Sequence, residues 1–147
     1  MTALLSLLKN IQNHSQQLID CLQQEKLALN NNQLDKLNEI SSEKQVLLDQ
    51  LNQLDKQRAA SSANENFNDF ITNSNNQPLI KQWALTRQTI SECRHLNEVN
   101  GRIINKRSQI NQDIISILSG RNEQPDETYN AKGNQSAQAS LLGGIEA

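Results

Sequence analysis

A chain of 147 residues with a net charge of −2 fits one domain with room for a modest core. Its acids and bases are interspersed, with no basic stripe of the kind that holds a nucleic-acid backbone, and no apolar run approaches the ~18 residues of a membrane span. Aromatic residues make up 3% of the chain, namely Phe67, Phe70, Trp83 and Tyr129, too few large β-formers for a sandwich or barrel.

Leucine and isoleucine carry the apolar content instead, and they recur at helical spacing. The opening "MTALLSLLKN" has a short apolar stretch that Lys9 interrupts, and no small-residue cleavage site follows. The expected compartment is the cytoplasm, with Cys21 and Cys93 as reduced thiols.

The first helix is expected over 3–29. Leu4, Leu8, Ile11, Ser15, Leu18, Leu22, Glu25 and Leu29 form its stripe, and Leu5, Leu7, Ile19 and Leu27 widen it. The triplet Asn30-Asn31-Asn32 then breaks the pattern, with Asn32 placed to cap the next helix and Asp35 three residues on. That second helix, 33–58, carries Leu37, Ile40, Lys44, Leu47, Leu51, Leu54 and Arg58 on one face. Lys44 and Arg58 are expected to lay their stems on the seam while their charges reach water. So short a connection makes the two helices an antiparallel hairpin.

From Ala59 to Gln77 the sequence turns to Asn, Ser and Ala, a loop with one amphipathic turn through Phe67, Phe70 and Ile71. Pro78 suits a helix start, because its missing N–H is not needed in the first turn. A third helix, 78–119, follows. Asn100-Gly101 inside it is the dipeptide of a tight hairpin turn, yet Leu96, Ile103, Ile110 and Ile117 keep intervals of seven across it. The helix therefore continues through a glycine that weakens it by about 1 kcal/mol relative to alanine, which implies a packing reason for Gly101. Gly120 is the expected helix stop, and 120–147 reads as a flexible, disordered C-terminal tail. The fold class is all-α: a helical domain over 1–119, coiled-coil-like, made of an antiparallel hairpin and a long third helix.

No arrangement for catalysis stands out. His14 is isolated on a polar face, and Cys93 and His95, two apart on a helix, point in different directions. Glycine-rich phosphate loops, nucleophile elbows and paired carboxylates are missing from the sequence, so neither an enzyme nor a cofactor or metal is expected. Arg102, Lys106 and Arg107 form a solvated flank. The informative feature is length. Helices of roughly 26 residues span about 40 Å and the third about 60 Å, so its end overhangs the hairpin by on the order of 20 Å. That overhang carries Ile103, Ile104, Ile110, Ile114, Ile115, Ile117 and Leu118. A face so apolar is either a groove for an amphipathic helix of another protein or a surface closed by the hairpin or by a second copy of the chain.

The strings "NEVNGRII" (Asn97 to Ile104) and "TYNAKG" (Thr128 to Gly133) resemble FlgN-type flagellar export chaperones. So do "LQQEKLAL" and "NNNQLDKLNEISSEKQVLLDQL" in the first two helices. The resemblance covers essentially the whole chain. It implies a small helical chaperone of the bacterial cytoplasm that binds the C-terminal amphipathic segments of FlgK and FlgL, the hook–filament junction proteins. Such a chaperone keeps them soluble and delivers them to the export gate. Carried onto this sequence, the client site takes in Asn97, Asn100, Gly101, Ile103, Ile104, Ile110, Ile114, Ile117 and Leu118. Docking on the gate protein FlhA falls to Tyr129. The alternatives are a self-associating coiled-coil adaptor, in which the isoleucine face closes a homodimer, and a secretion chaperone for other clients.

Overall fold

The computed structural model describes residues 2–63 and 65–119. Those residues form α1 (Thr2–Asn30), α2 (Leu34–Ser61), α3 (Phe67–Asn73) and α4 (Gln77–Ser119). The all-α class, the antiparallel hairpin and the long helix are as the periodicity predicts, and α4 runs unbroken through Gly101. Gly120 and the tail to Ala147 lie outside the described residues.

Asparagine sets the joints. Asn32 adopts a left-handed φ of 55°; the Gln33 N–H donates to Ala28 O at 3.0 Å and the Asn32 N–H to Leu29 O at 3.3 Å. Together these bonds close α1 with a Schellman turn in which asparagine stands where glycine is usual. This corrects the expectation for Asn32: it ends α1, and the residue before α2 is Gln33, which makes no side-chain cap. The expected single turn after Ala59 is the seven-residue α3, and the Asn66 side chain caps it by accepting from the N–H groups of Asn68 and Asp69. Asn76 Oδ1 accepts the Leu79 N–H at 3.2 Å, with Pro78 in the first turn of α4.

Helix α1 is the middle of the packing, with α2 and α4 each lying along it. Helix α2 runs antiparallel to α1. Helix α4 runs parallel to it: Thr86 lies against Leu8, Cys93 against Ser15 and Asn100 against Leu22. The main core gathers Leu8, Ile11, Leu18 and Leu22 of α1 with Leu51 of α2, Phe67 and Ile71 of α3, and Leu79, Trp83 and Ile90 of α4. A smaller cluster of Cys21, Ala28 and Ile40 sits towards the hairpin turn. The seam charges do not reach water as the sequence leads one to expect. Lys44 is held by Glu25, and Arg58 by Asp55 at 2.7 Å and by the faces of Phe67 and Trp83. Inside the packing a partner is worth more to a charge than partial hydration.

Both thiols are buried and donate to backbone carbonyls, Cys21 Sγ to Ile40 O at 3.7 Å and Cys93 Sγ to Ser15 O at 3.1 Å. Burial, aided by the charges of Glu25 and Glu43, pushes Cys21 up to about 11, and burial with Glu92 pushes Cys93 up to about 12. A raised folded-state value stabilises fully below the unfolded thiol pKa of ~8.5, and that stability is lost as pH climbs from there towards the folded values. The stability read from the urea midpoint should therefore fall between pH 7.5 and 9.5 by about 1 kcal/mol per thiol, the two contributing alike because both folded values lie above that window. A Cys21→Ala/Cys93→Ser variant should show a shallower slope over the same interval. Equal slopes would mean that the thiols titrate alike in the folded and unfolded chains.

Candidate functional site

One column of α4 decides where the bundle is closed and where it opens. Thr86, Cys93 and Asn100 stand seven residues apart, and each directs a short polar side chain at a carbonyl of α1. The Thr86 hydroxyl lies 2.8 Å from Gln82 O and 3.2 Å from Leu8 O, and Asn100 Nδ2 donates to Leu22 O at 2.8 Å. Side chains this short reach a neighbouring backbone only where the two helices approach closely. Gly101, buried beside Asn100, adds no side chain to hold them apart.

Asn100 also donates to Glu25 Oε1 at 2.9 Å, and Lys44 Nζ lies 3.3 Å from both oxygens of that carboxylate. A buried charge pair and an amide thus join α1, α2 and α4 at one level. Asn100 Oδ1 finds no partner among the described residues. One heptad further, Arg107 Nη1 donates to Asn32 Oδ1 at 2.8 Å and ties α4 to the hairpin turn. One heptad beyond that stands Ile114, with the end of α1 already passed.

Extending the α1–α4 pairing places Asn30, the last residue of α1, level with Ser108. Residues 109–119 therefore project past the hairpin by about 16 Å at 1.5 Å per residue. Exposure climbs along that projection: Ile110 48%, Ile114 49%, Ile115 63%, Ile117 78% and Leu118 82%. Leu34, two residues past Asn32 at the hairpin tip, is exposed as well. Isolated apolar side chains on a surface are ordinary, but a contiguous set on one projecting helix marks an interaction surface.

The residues assigned to the client site thus fall into three groups. Ile110, Ile114, Ile117 and Leu118 are open to solvent. Asn97, Ile103 and Ile104 are half-buried at the root of the projection, while Asn100 and Gly101 are enclosed, Asn100 at 1% exposure. Asn100 and Gly101 therefore frame the site from inside the helix packing. Sequence reasoning left Ile115 out of the site although it is more exposed than Ile110. It also did not pair Glu25 with Lys44, although opposite charges on two facing apolar stripes are the available signal. Tyr129 lies outside the described residues.

The remaining candidates are placed as follows. Cys93 is inside the core while His95 is exposed, and His14 Nδ1 lies 2.8 Å from Asn10 O on its own helix. Arg102 and Lys106 face solvent. Among the described residues, His, Cys, Asp and Glu form no group able to hold a metal ion, and no helix is long and apolar enough to cross a membrane.

A family model described as FlgN protein matches residues 1–137. Comparison with the curated proteins and with the solved structures returns no match. The family match takes in all four helices, the three-helix polar node and the projecting isoleucines, and the chain belongs to the FlgN family of flagellar export chaperones.

Proposed function

We propose that the projecting end of α4 receives the C-terminal amphipathic segments of FlgK and FlgL in the bacterial cytoplasm, and that the chain carries them unpolymerised to the export gate. The observation that supports this most is the rise in exposure of Ile110, Ile114, Ile117 and Leu118 along a helix that has outrun its partners.

Apolar side chains at helical spacing offer a nondirectional surface that tolerates shifts of register, which suits an amphipathic segment laid against it. A client that is disordered before assembly gives up several kcal/mol of ordering free energy on docking. The resulting moderate affinity keeps release possible at the gate. The node of Glu25, Lys44 and Asn100 holds the root of α4 in place while the projecting turns remain open. Gate docking through FlhA is assigned to Tyr129, so Tyr129→Ala should spare client binding and reduce export.

The test is Ile110→Asp combined with Ile117→Asp. Two buried anchors lost at an interface remove about 2 kcal/mol each or more. Binding of FlgK and FlgL should accordingly weaken by roughly 1,000-fold in titration and be lost from pull-down, with circular dichroism unchanged. Undiminished binding by a helical double variant would refute the assignment. Sedimentation decides the homodimer alternative: a stable, concentration-independent dimer that the same two substitutions dissolve would make this face a self-association seam.

A further inference from the structure

We propose that two client-free copies of the chain pair through the projecting ends of α4, antiparallel, with Ile110 of one copy against Ile110 of the other. The pairing stands on its own residues; that a client dissolves it rests on the client reading above.

The face itself identifies its occupant. Ile103, Ile110 and Ile117 form a column on α4, successive members about 20° apart on the helix. The column lies about 60° round the helix from Thr86, Cys93 and Asn100, which meet α1. Helix α1 therefore leaves it open, with Ile110 48% and Ile117 78% exposed. Lys106 and Asp113, both exposed, lie along its other side. Lys106 meets no carboxylate among the described residues, and Asp113 accepts at 3.0 Å from Gln109 of its own helix.

Turned end for end, this surface is its own complement. A two-fold axis at Ile110 sets Ile103 of each copy against Ile117 of the other, and it brings like flanks together. Lys106 of each copy then stands opposite Asp113 of the other, within one residue of the same level. Other arrangements lose this match. A slip of one heptad towards the bundle sets Lys106 against Lys106, and a slip of one heptad outwards sets Asp113 against Asp113. Parallel pairing puts Lys106 beside Arg107 of the other copy. Like charges brought together in this way select against each of these alternatives.

The rest of the molecule permits the pairing. Helix α1 ends level with Ser108, and Ser108 of one copy stands level with Gln112 of the other, so the first helices do not overlap. Three isoleucine layers and two exposed ion pairs fall short of the ~800 Å² per partner typical of a stable complex. The pair is therefore weak and reversible, unlike a stable dimer that would exclude a client. It covers the isoleucines until a client helix takes the place of the second copy.

Sedimentation of the full chain from tens to hundreds of micromolar should show a monomer–dimer equilibrium. Lys106→Glu and Asp113→Lys should each weaken it by about 10-fold, and the two together should restore it to within about 3-fold of wild type. Mild oxidation reads the register. Ile110→Cys should form a disulfide between two chains, since position 110 faces itself. Ile117→Cys should form none, because it stands about 20 Å from its counterpart. A chain that stays monomeric throughout, a double variant no better than the single ones, or equal linkage at both positions would overturn the proposal. A synthetic peptide of the FlgK C-terminal segment should convert the dimer into one-to-one complexes with the monomer. A peptide that binds and leaves the dimer intact would overturn the displacement. If the peptide binds neither form, the client reading fails while the disulfide still decides the pairing.

Discussion

Glu25→Ala should lower the stability of the folded chain by about 3–5 kcal/mol, read from the urea midpoint. Glu25 accepts from Lys44 Nζ at 3.3 Å and from Asn100 Nδ2 at 2.9 Å, in a place where both charged side chains are about nine-tenths enclosed. Removing the carboxylate leaves an ammonium buried without its counter-charge, and that penalty exceeds the net worth of the pair. Against a typical total of 5–15 kcal/mol it is a large fraction. Glu25→Gln keeps an acceptor for both donors and should fall between the wild type and the alanine variant. Glu25→Ala with Lys44→Met removes both charges and should recover much of the loss. If the single variant loses less than about 1 kcal/mol, the level of a surface ion pair, the three helices are not joined through this carboxylate.

The same residues show what a sequence can and cannot convey. Glu25 and Lys44 are both legible as polar members of apolar stripes, and a stripe position says that a residue faces a neighbour. It does not say whether a long side chain finds a partner or bends to water, because that depends on which helix lies opposite. Arg58 poses the same problem: its resting place between Phe67 and Trp83 is made by a loop helix and by α4, both distant in sequence. Asn32 was misread for a different reason. Asparagine is favoured both as an N-cap and in a left-handed turn, and residue preference cannot separate the two roles where one helix ends three residues before the next begins. For α3 the signal was present, since Asn66 is followed three residues later by Asp69, a cap pattern that an Asn-rich loop hides.

The candidate site was legible where it depends on length. A helix of 43 residues beside helices of 29 and 28 must outrun them, and Ile110, Ile114, Ile115, Ile117 and Leu118 in that stretch are exposed. Ile103 and Ile104, also expected on the overhang, are half-buried at its root because the projection begins later, at residue 109. It was not legible where it depends on which side of α4 faces α1. Asn100 and Gly101 lie in the string that carries the family resemblance, yet they are enclosed. A residue can recur among relatives because a client touches it or because two helices meet there, and a motif does not tell these apart. The heptad column resolves it: Asn100 continues Thr86 and Cys93 on the carbonyls of α1, so its place is structural.

Trp83→Ala should cost about 3–5 kcal/mol, as for a large aromatic removed from a core. Trp83 meets Phe67 edge to face with centroids 4.7 Å apart, lies 5.7 Å from the Arg58 guanidinium and donates through Nε1 to Asn68 Oδ1 at 2.6 Å. One side chain therefore holds α3 to α4 and encloses the charge at the C-terminal end of α2. Trp83→Phe keeps a ring against Phe67 and Arg58 while losing the N–H donor, so a smaller loss of about 1–2 kcal/mol is expected. This cluster stands far from the projecting face, since Trp83 and Ile110 are separated by about 40 Å along α4. The Trp83→Phe protein should consequently bind FlgK and FlgL segments with wild-type affinity at temperatures where it remains folded. The Ile110→Asp/Ile117→Asp protein should do the opposite, melting as the wild type does while failing to bind. That crossed pattern would separate the part of the chain that holds the fold from the part that meets the client. If Trp83→Phe weakened binding in the folded protein as strongly as the isoleucine changes, the client surface would have to extend along α4 into the closed half of the bundle.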